Sequence, residues 1–317
     1  MNSLKKNIVK IPDTSEGNFV IKYFPNWSIP YLHLSRADRP TGTWLLLLPC
    51  LFGILLACIE KNNFSISFYE IWLLIACSIG AFLMRGAGCT WNDILDKDYD
   101  AKVKRTQNRP IPSGQVTIRR AIYWIIVQSL LAFTILLTFN KFSILIACLS
   151  LLLVAIYPLA KRFTWWPQIF LGLAFNWGVL VGYSAITHEL SVSVFLMYLA
   201  CIFWTLFYDT IYALQDIKDD TLIGVKSTAI LFADSTKIWL FMFATLAAGL
   251  MILSFLFSIS GLQMFIAITG ALFFYLHMVR QVINLDIQNG QSLLDSFRSN
   301  RNAGFIPVIF LSISILF

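Results

Sequence analysis

From residue 43 to its end the chain is a succession of nine apolar runs, near 43–59, 69–90, 119–139, 143–159, 167–186, 191–212, 236–258, 262–283 and 303–317. Most of them approach the roughly 20 residues that an α-helix needs to cross a bilayer. The last is short and stops at the chain end. Only 13% of the residues are charged and 58% are hydrophobic. A soluble domain carries about 25% charged residues for its polar skin, and this chain has too few. The reading is an all-α polytopic membrane protein of about nine transmembrane helices. Residues 1–42 form a polar cytosolic arm with an interfacial segment at Tyr31–Ser35, and 43–317 form a single membrane-embedded domain.

Lys and Arg collect in the loops on the cytoplasmic side of a membrane protein. With nine spans, 21 basic residues fall on the side of the N-terminus, two (Lys61 and Lys141) on the other, and Arg85 within a span. The split supports the helix count and places the N-terminus in the cytoplasm. It also accounts for the net charge of +7 without a nucleic-acid partner. The opening MNSLKKNIVKIPDTSEGN lacks the apolar core of a signal peptide. With Asp13, Glu16 and no Arg it makes a poor mitochondrial transit peptide, so the expected location is a bacterial inner (plasma) membrane, with the mitochondrial inner membrane as the alternative. The six cysteines form no CxxC pair, and His33, His188 and His277 have no metal-ligand spacing.

Against this apolar background, eight of the 13 Asp residues fall in two stretches. One is Asn92-Asp93-Ile94-Leu95-Asp96-Lys97-Asp98-Tyr99-Asp100; the other holds Asp209, Asp216, Asp219 and Asp220. Each lies at the cytoplasmic end of an even-numbered span. At about 100° per residue, Asp93, Asp96 and Asp100 share one helix face with Asn92 beside them, and Asp98 points away. Asp209, Tyr212, Asp216 and Asp220 form a second stripe, flanked by Asp219. Stacked carboxylates repel unless a cation sits between them, and hard oxygen ligands suit Mg²⁺, which bridges to phosphate oxygens. The alternative for either stretch alone is a solvated helix end. Two such stretches on one side of one membrane favour a metal and a diphosphate.

The loop VKRTQNRPIPSG (103–114) follows the first stretch. Arg105 and Arg109 suit a diphosphate through charge-assisted, bidentate hydrogen bonds. Lys161 and Arg162 follow the fourth span and are placed to reach the same group. Arg85 stands seven residues before Asn92; it pairs with an Asp or holds a substrate carboxylate, and Gly86 and Gly88 are points where its helix can break.

The motif Asn92-Asp93-x-x-Asp96-x-x-x-Asp100 resembles the NDxxDxxxD signature of the UbiA superfamily of membrane prenyltransferases. RADRPTG (36–42), Met84–Cys89, the VKRTQNRPIPSG loop, YPLAKRFTWWPQ (157–168), YDTIYALQDIKDD (208–220) and GVKSTAI (224–230) are similar to the 4-hydroxybenzoate polyprenyltransferase branch. The resemblance implies a helix bundle around a central cavity, in the lipid bilayer. It also implies Mg²⁺ as cofactor, a polyprenyl diphosphate donor and 4-hydroxybenzoate as acceptor. On that basis Asp93, Asp96, Asp100, Asp216, Asp219 and Asp220 hold the metal. Asn92, Arg105, Arg109, Lys161 and Arg162 bind the donor. Asp209, with Tyr212 nearby, activates the phenol, and Arg85 takes the benzoate carboxylate. The rival readings are a UbiA-type enzyme with another acceptor and a membrane transporter. A transporter would have isolated acids at mid-helix and no basic loop.

Overall fold

The computed structural model describes residues 19–61, 67–103 and 105–317. The rest of the arm at 1–18, with the residues on which the transit-peptide reading rested, and Lys104 of the basic loop lie outside the described residues. Every regular element among the described residues is a helix. They are α1 (Phe19–Tyr23), α2 (Ile29–Leu34), α3 (Thr41–Glu60), α4 (Phe68–Leu95), α5 (Lys97–Asp100), α6 (Ile118–Leu136), α7 (Lys141–Ile156) and α8 (Ala160–Phe163). There follow α9 (Pro167–Phe175), α10 (Gly178–Thr187), α11 (Val192–Ala213), α12 (Ile217–Ile223), α13 (Thr228–Phe232), α14 (Thr236–Ser258), α15 (Gly261–Asn284) and α16 (Gly290–Ser314). Side-chain oxygens of Asn140, Ser191, Ser227 and Asn289 accept from first-turn N–H groups and so start α7, α11, α13 and α16.

Eight helical segments among the described residues are long and apolar enough to cross a membrane. They correspond to the first eight apolar runs. The ninth differs. Its helix α16 begins at Gly290 rather than near 303, and its first half carries Asp295, Arg298 and Arg301. The apolar stretch from Ala303 to Ser314 spans only about 18 Å at 1.5 Å per residue. The fifth run also differs, because it is two helices, α9 and α10, broken at Asn176–Trp177. The break leaves carbonyls that lipid cannot satisfy. Tyr198 Oη donates to the Leu173 carbonyl at 2.7 Å, and the Gly172 carbonyl, which accepts the main-chain N–H of Asn176 at 3.1 Å, also accepts from Asn176 Nδ2 at 2.8 Å.

The chain forms two compact units. The first contains residues up to Thr43 together with 79–134, and the second contains 44–78 with 135–317. In the first, α2 buries Ile29, His33 and Leu34. Tyr31 packs on Trp124 of α6 with ring centroids 5.5 Å apart, and Trp124 Nε1 donates to Ser35 Oγ at 2.8 Å. Loop residues Ile111 and Val116 pack with Leu34 and Ala121 in one apolar cluster. On the other face of α6, Ile122, Tyr123, Ile126, Val127, Leu130 and Leu131 are exposed, as lipid contact requires.

The second unit is built on α11, which packs against α9, α10, α14 and α16. Trp204, 1% exposed, sits among Phe52, Tyr208 and Phe274. Its indole N–H donates to Asn300 Oδ1 at 2.9 Å, and Asn300 Nδ2 donates to Gln281 Oε1 at 3.0 Å. Paired in this way, the buried amides add no unmet polar cost at those atoms.

Candidate active site

Helix α4 runs unbroken through Gly86 and Gly88 and on past Asn92 to Leu95. Arg85 and Asn92 therefore share one continuous helix. The regular helix stops at Asp96, whose backbone (φ −95°, ψ 6°) occupies the sparsely populated bridge region. Helical hydrogen bonding nevertheless carries across, with Asp96 N–H donating to the Asn92 carbonyl at 2.9 Å and Asp100 N–H to the Asp96 carbonyl at 2.8 Å. Helical spacing therefore survives the bend. Asp93, Asp96 and Asp100 are 0, 1 and 7% exposed, while Asp98 is exposed.

Burying three carboxylates costs several kcal/mol per ion unless each is compensated. Two arginines supply that compensation. Arg36 Nη2 donates to Asp93 Oδ1 at 2.6 Å. Arg109 Nη1 donates to Asp100 Oδ2 at 2.8 Å and to the same Asp93 oxygen at 3.3 Å. Asn92 Nδ2 donates to Asp96 Oδ2 at 3.0 Å. Asp93 Oδ2 is buried and accepts no hydrogen bond from any described residue. Burial pushes the Asp100 carboxyl above the usual range, against the pull of Arg109. Burial is the largest single influence on the Arg36 guanidinium and lowers it, but the charge and hydrogen bond of Asp93 together with the other groups around it carry the net shift upward.

Both arginines are held by local structure. Helix α2 ends in a Schellman turn. The N–H of Arg36 donates to the His33 carbonyl at 3.1 Å and that of Ala37 to the Leu32 carbonyl at 2.9 Å. That turn puts Arg36 at φ 55°, a left-handed conformation where glycine is usual. Arg109 sits on the VKRTQNRPIPSG loop. The loop is closed by Val116 N–H donating to the Pro110 carbonyl at 2.9 Å and anchored by Thr106 Oγ1 donating to the Asp100 carbonyl at 2.9 Å. Arg105 is half-buried on the same loop.

The second acidic stretch belongs to the second unit. Asp209 and Tyr212 are half-buried in the last turn of α11, and the Tyr212 ring lies 4.7 Å from that of Phe297. Helix α11 gives way to a 3-10 turn at Leu214–Asp216. Asp216 (φ −106°, ψ 1°) repeats the bend seen at Asp96, and Asp219 and Asp220 follow in the first turn of α12. Gly224, at φ 75°, stops that helix, and Val225 N–H donates to the Asp220 carbonyl at 2.9 Å. The next residue ties in the basic pair, since Lys226 N–H donates to the Lys161 carbonyl at 3.0 Å. Lys226 Nζ lies 5.6 Å from the centre of the Trp165 ring. Lys161, Arg162 and the end of the acidic stretch are therefore joined through main-chain bonds.

Sequence reasoning did not single out Arg36 or Lys226. Both stand in segments, RADRPTG and GVKSTAI, that carried the family resemblance, but their partners are distant in the chain. Helical spacing also does not reveal the bend at Asp96 in one acidic stretch and at Asp216 in the other. Among the described residues no three acidic, His or Cys side chains converge as a metal cage. In the first stretch the two arginines already occupy Asp93 Oδ1 and Asp100 Oδ2.

The chain matches the UbiA prenyltransferase family over residues 46–306. The Bos taurus protein named "4-hydroxybenzoate polyprenyltransferase, mitochondrial" is 44% identical over 301 residues, covering 93% of this chain and 77% of its own. The Homo sapiens protein of the same name is 45% identical over 287 residues, covering 90% of this chain and 74% of its own. Among solved structures, the apo UbiA homolog from Aeropyrum pernix K1 superposes with a TM-score of 0.71 at 22% identity, over 87% of this chain and 98% of that one. The UbiA homolog from Archaeoglobus fulgidus bound to GPP and Mg²⁺ does so with a TM-score of 0.65 at 18% identity, over 90% and 99%. The expectation of a bacterial plasma membrane is overturned, because these relatives are named mitochondrial. The apolar runs and loop charges answer to the physics of any bilayer and do not specify an organelle. On a family match spanning most of its length and on relatives this similar, the chain belongs to the UbiA prenyltransferase family.

Proposed function

We propose that the protein transfers a polyprenyl group from a polyprenyl diphosphate to 4-hydroxybenzoate. The new bond forms at the ring carbon ortho to the hydroxyl, diphosphate is released, and the product enters ubiquinone biosynthesis. The observation that carries this reading is the buried Asp93–Asp96–Asp100 group at the end of a membrane-crossing helix, with Asp93 Oδ2 accepting from no described residue. The relatives' names supply the two substrates. Those names also support the mitochondrial inner membrane as the location. The loop charges support a topology with the N-terminus and both acidic stretches on the more positive face of that membrane.

Mg²⁺ fits this donor set. It takes hard oxygens, keeps several waters and needs only one or two protein carboxylates beside phosphate oxygens. In the first unit Asp93, Asp96 and Asp100 would hold it; in the second, Asp216, Asp219 and Asp220 would. When bound, it would supply positive charge to offset what builds on the diphosphate as the allylic C–O bond breaks. Arg105 and Arg109 of the loop, with Asn92, Lys161 and Arg162, bind the diphosphate oxygens and share in that stabilisation. The electron pair of the breaking bond leaves with diphosphate. Asp209, beside Tyr212, accepts the phenol proton and makes the ring more nucleophilic. The ortho carbon then bonds to the allylic carbon and loses its own proton to the released diphosphate, which restores the aromatic ring, and Asp209 returns the phenol proton to the oxygen. Arg85 holds the benzoate carboxylate and so aims that carbon.

The test is to give membranes containing the protein labelled 4-hydroxybenzoate and a polyprenyl diphosphate, with and without Mg²⁺. Prenylated 4-hydroxybenzoate that appears only with Mg²⁺ is the expected result. Product formed regardless of Mg²⁺, or only with another aromatic acceptor, refutes this reading.

A further inference from the structure

Gly42, the second residue of α3, lies in the same unit as Arg85. A Cβ built on Gly42 would overlap Cζ, Nη1 and Nη2 of Arg85. The guanidinium therefore rests directly on the Cα of Gly42. The backbone there does not call for glycine, since Gly42 is absent from the positive-φ residues. Glycine within a helix costs about 1 kcal/mol relative to alanine. What the missing side chain provides is room for the Arg85 head group. Gly53, further along α3, is different, because a Cβ there would strike the main-chain carbonyl of Val179. At Gly42 the obstacle is the far end of a flexible side chain. A methyl group added at 42 leaves the helix intact and moves the guanidinium.

We propose that Gly42 is a positioning residue for acceptor recognition: its bare Cα seats the Arg85 guanidinium where it receives the acceptor's carboxylate. The proposal rests on the carboxylate-binding role given to Arg85 above. A carboxylate held by two parallel N–H···O bonds is sensitive to the placement of the guanidinium plane. Displacement of a positioning group by about 1 Å can cost about a hundredfold.

The experiment compares G42A, R85A and the double variant with the unmodified protein. It measures KM for 4-hydroxybenzoate, KM for the polyprenyl diphosphate, turnover of the carboxylate-free acceptor 4-hydroxybenzamide, and thermal midpoint. For G42A, KM for 4-hydroxybenzoate should rise about ten- to a hundredfold, in keeping with a displaced binding group. Its KM for the diphosphate should stay within about twofold, its preference over 4-hydroxybenzamide should shrink, and its midpoint should be unchanged or higher. G42A should add nothing further in the R85A background, because two substitutions acting through one contact are not additive. An unchanged KM in G42A, a lowered midpoint, or additive effects in the double variant overturns the role of Gly42 while leaving Arg85 its own. If R85A keeps full preference for 4-hydroxybenzoate over 4-hydroxybenzamide, the carboxylate role of Arg85 fails and the role of Gly42 fails with it.

Discussion

The two acidic stretches share a backbone device and differ in how their charge is accommodated. Each interrupts a long membrane helix at an Asp near φ −100° and ψ 0°, Asp96 in one and Asp216 in the other. In each, a second Asp follows four residues later. The first stretch is buried, and Asp93 and Asp100 are neutralised by arginines from two different segments. The second is half-buried along α11 and α12, and its end is tied by main-chain hydrogen bonds to the segment carrying Lys161 and Arg162. Removing Asp93 from the first leaves the buried Arg36 guanidinium without that partner. Removing Asp216 takes a half-buried carboxylate from a bend. Stability and chemistry are therefore more entangled in the first stretch, where the carboxylates are buried, than in the second, where they are half-buried.

Substitutions test that contrast. The largest combined effect is expected from Asp93→Ala, which strips Arg36 of its buried acceptor. Breaking a buried pair by removing one partner costs about 3–5 kcal/mol, so turnover and thermal midpoint should both fall. An unchanged midpoint would mean that the ion pair contributes nothing to the fold. Asp216→Ala should lower turnover at least about a hundredfold, a typical loss for a group that stabilises developing charge. Its midpoint should stay close to that of the unmodified protein, and near-normal Mg²⁺-dependent turnover would remove Asp216 from the mechanism. Arg36→Gly and Arg36→Ala both lose the guanidinium, but only glycine relieves the left-handed backbone. The glycine variant should be the more stable by about 1 kcal/mol in denaturant titration. Equal stability would show that the turn relaxes once the arginine is gone. The smallest effect is expected from Asp98→Ala. That side chain is exposed between buried neighbours, so activity should change less than about twofold, within the range of ordinary surface substitutions. A large loss would mean that Asp98 turns inward when substrate binds.

Much of this was legible beforehand, for reasons that can be named. Helical periodicity separated exposed Asp98 from buried Asp93, Asp96 and Asp100, because the bend at Asp96 keeps helical hydrogen bonding. It overlooked the bend itself, which is a matter of two dihedral angles and leaves the spacing almost intact. It also overlooked the split of α9 from α10 at Asn176, since an Asn in an apolar run carries no reading until its amide finds the Gly172 carbonyl and Thr205 Oγ1. The start of α16 at Gly290 was missed because a hydropathy run marks where a helix becomes greasy and not where it begins.

By itself, the order of residues determined the helical class, the first eight apolar runs, the two acidic stretches and the basic segments beside them. These are local properties, set by transfer free energy and by the angle per residue. Only the tertiary structure decided which cation meets which carboxylate. Arg36, 57 positions from Asp93, reaches it at 2.6 Å because a Schellman turn points it there. Gly42 reads as an ordinary helix residue until the head of Arg85 is seen resting on it. Pairing across such distances in the chain depends on how helices pack, and packing leaves no period in the sequence to read.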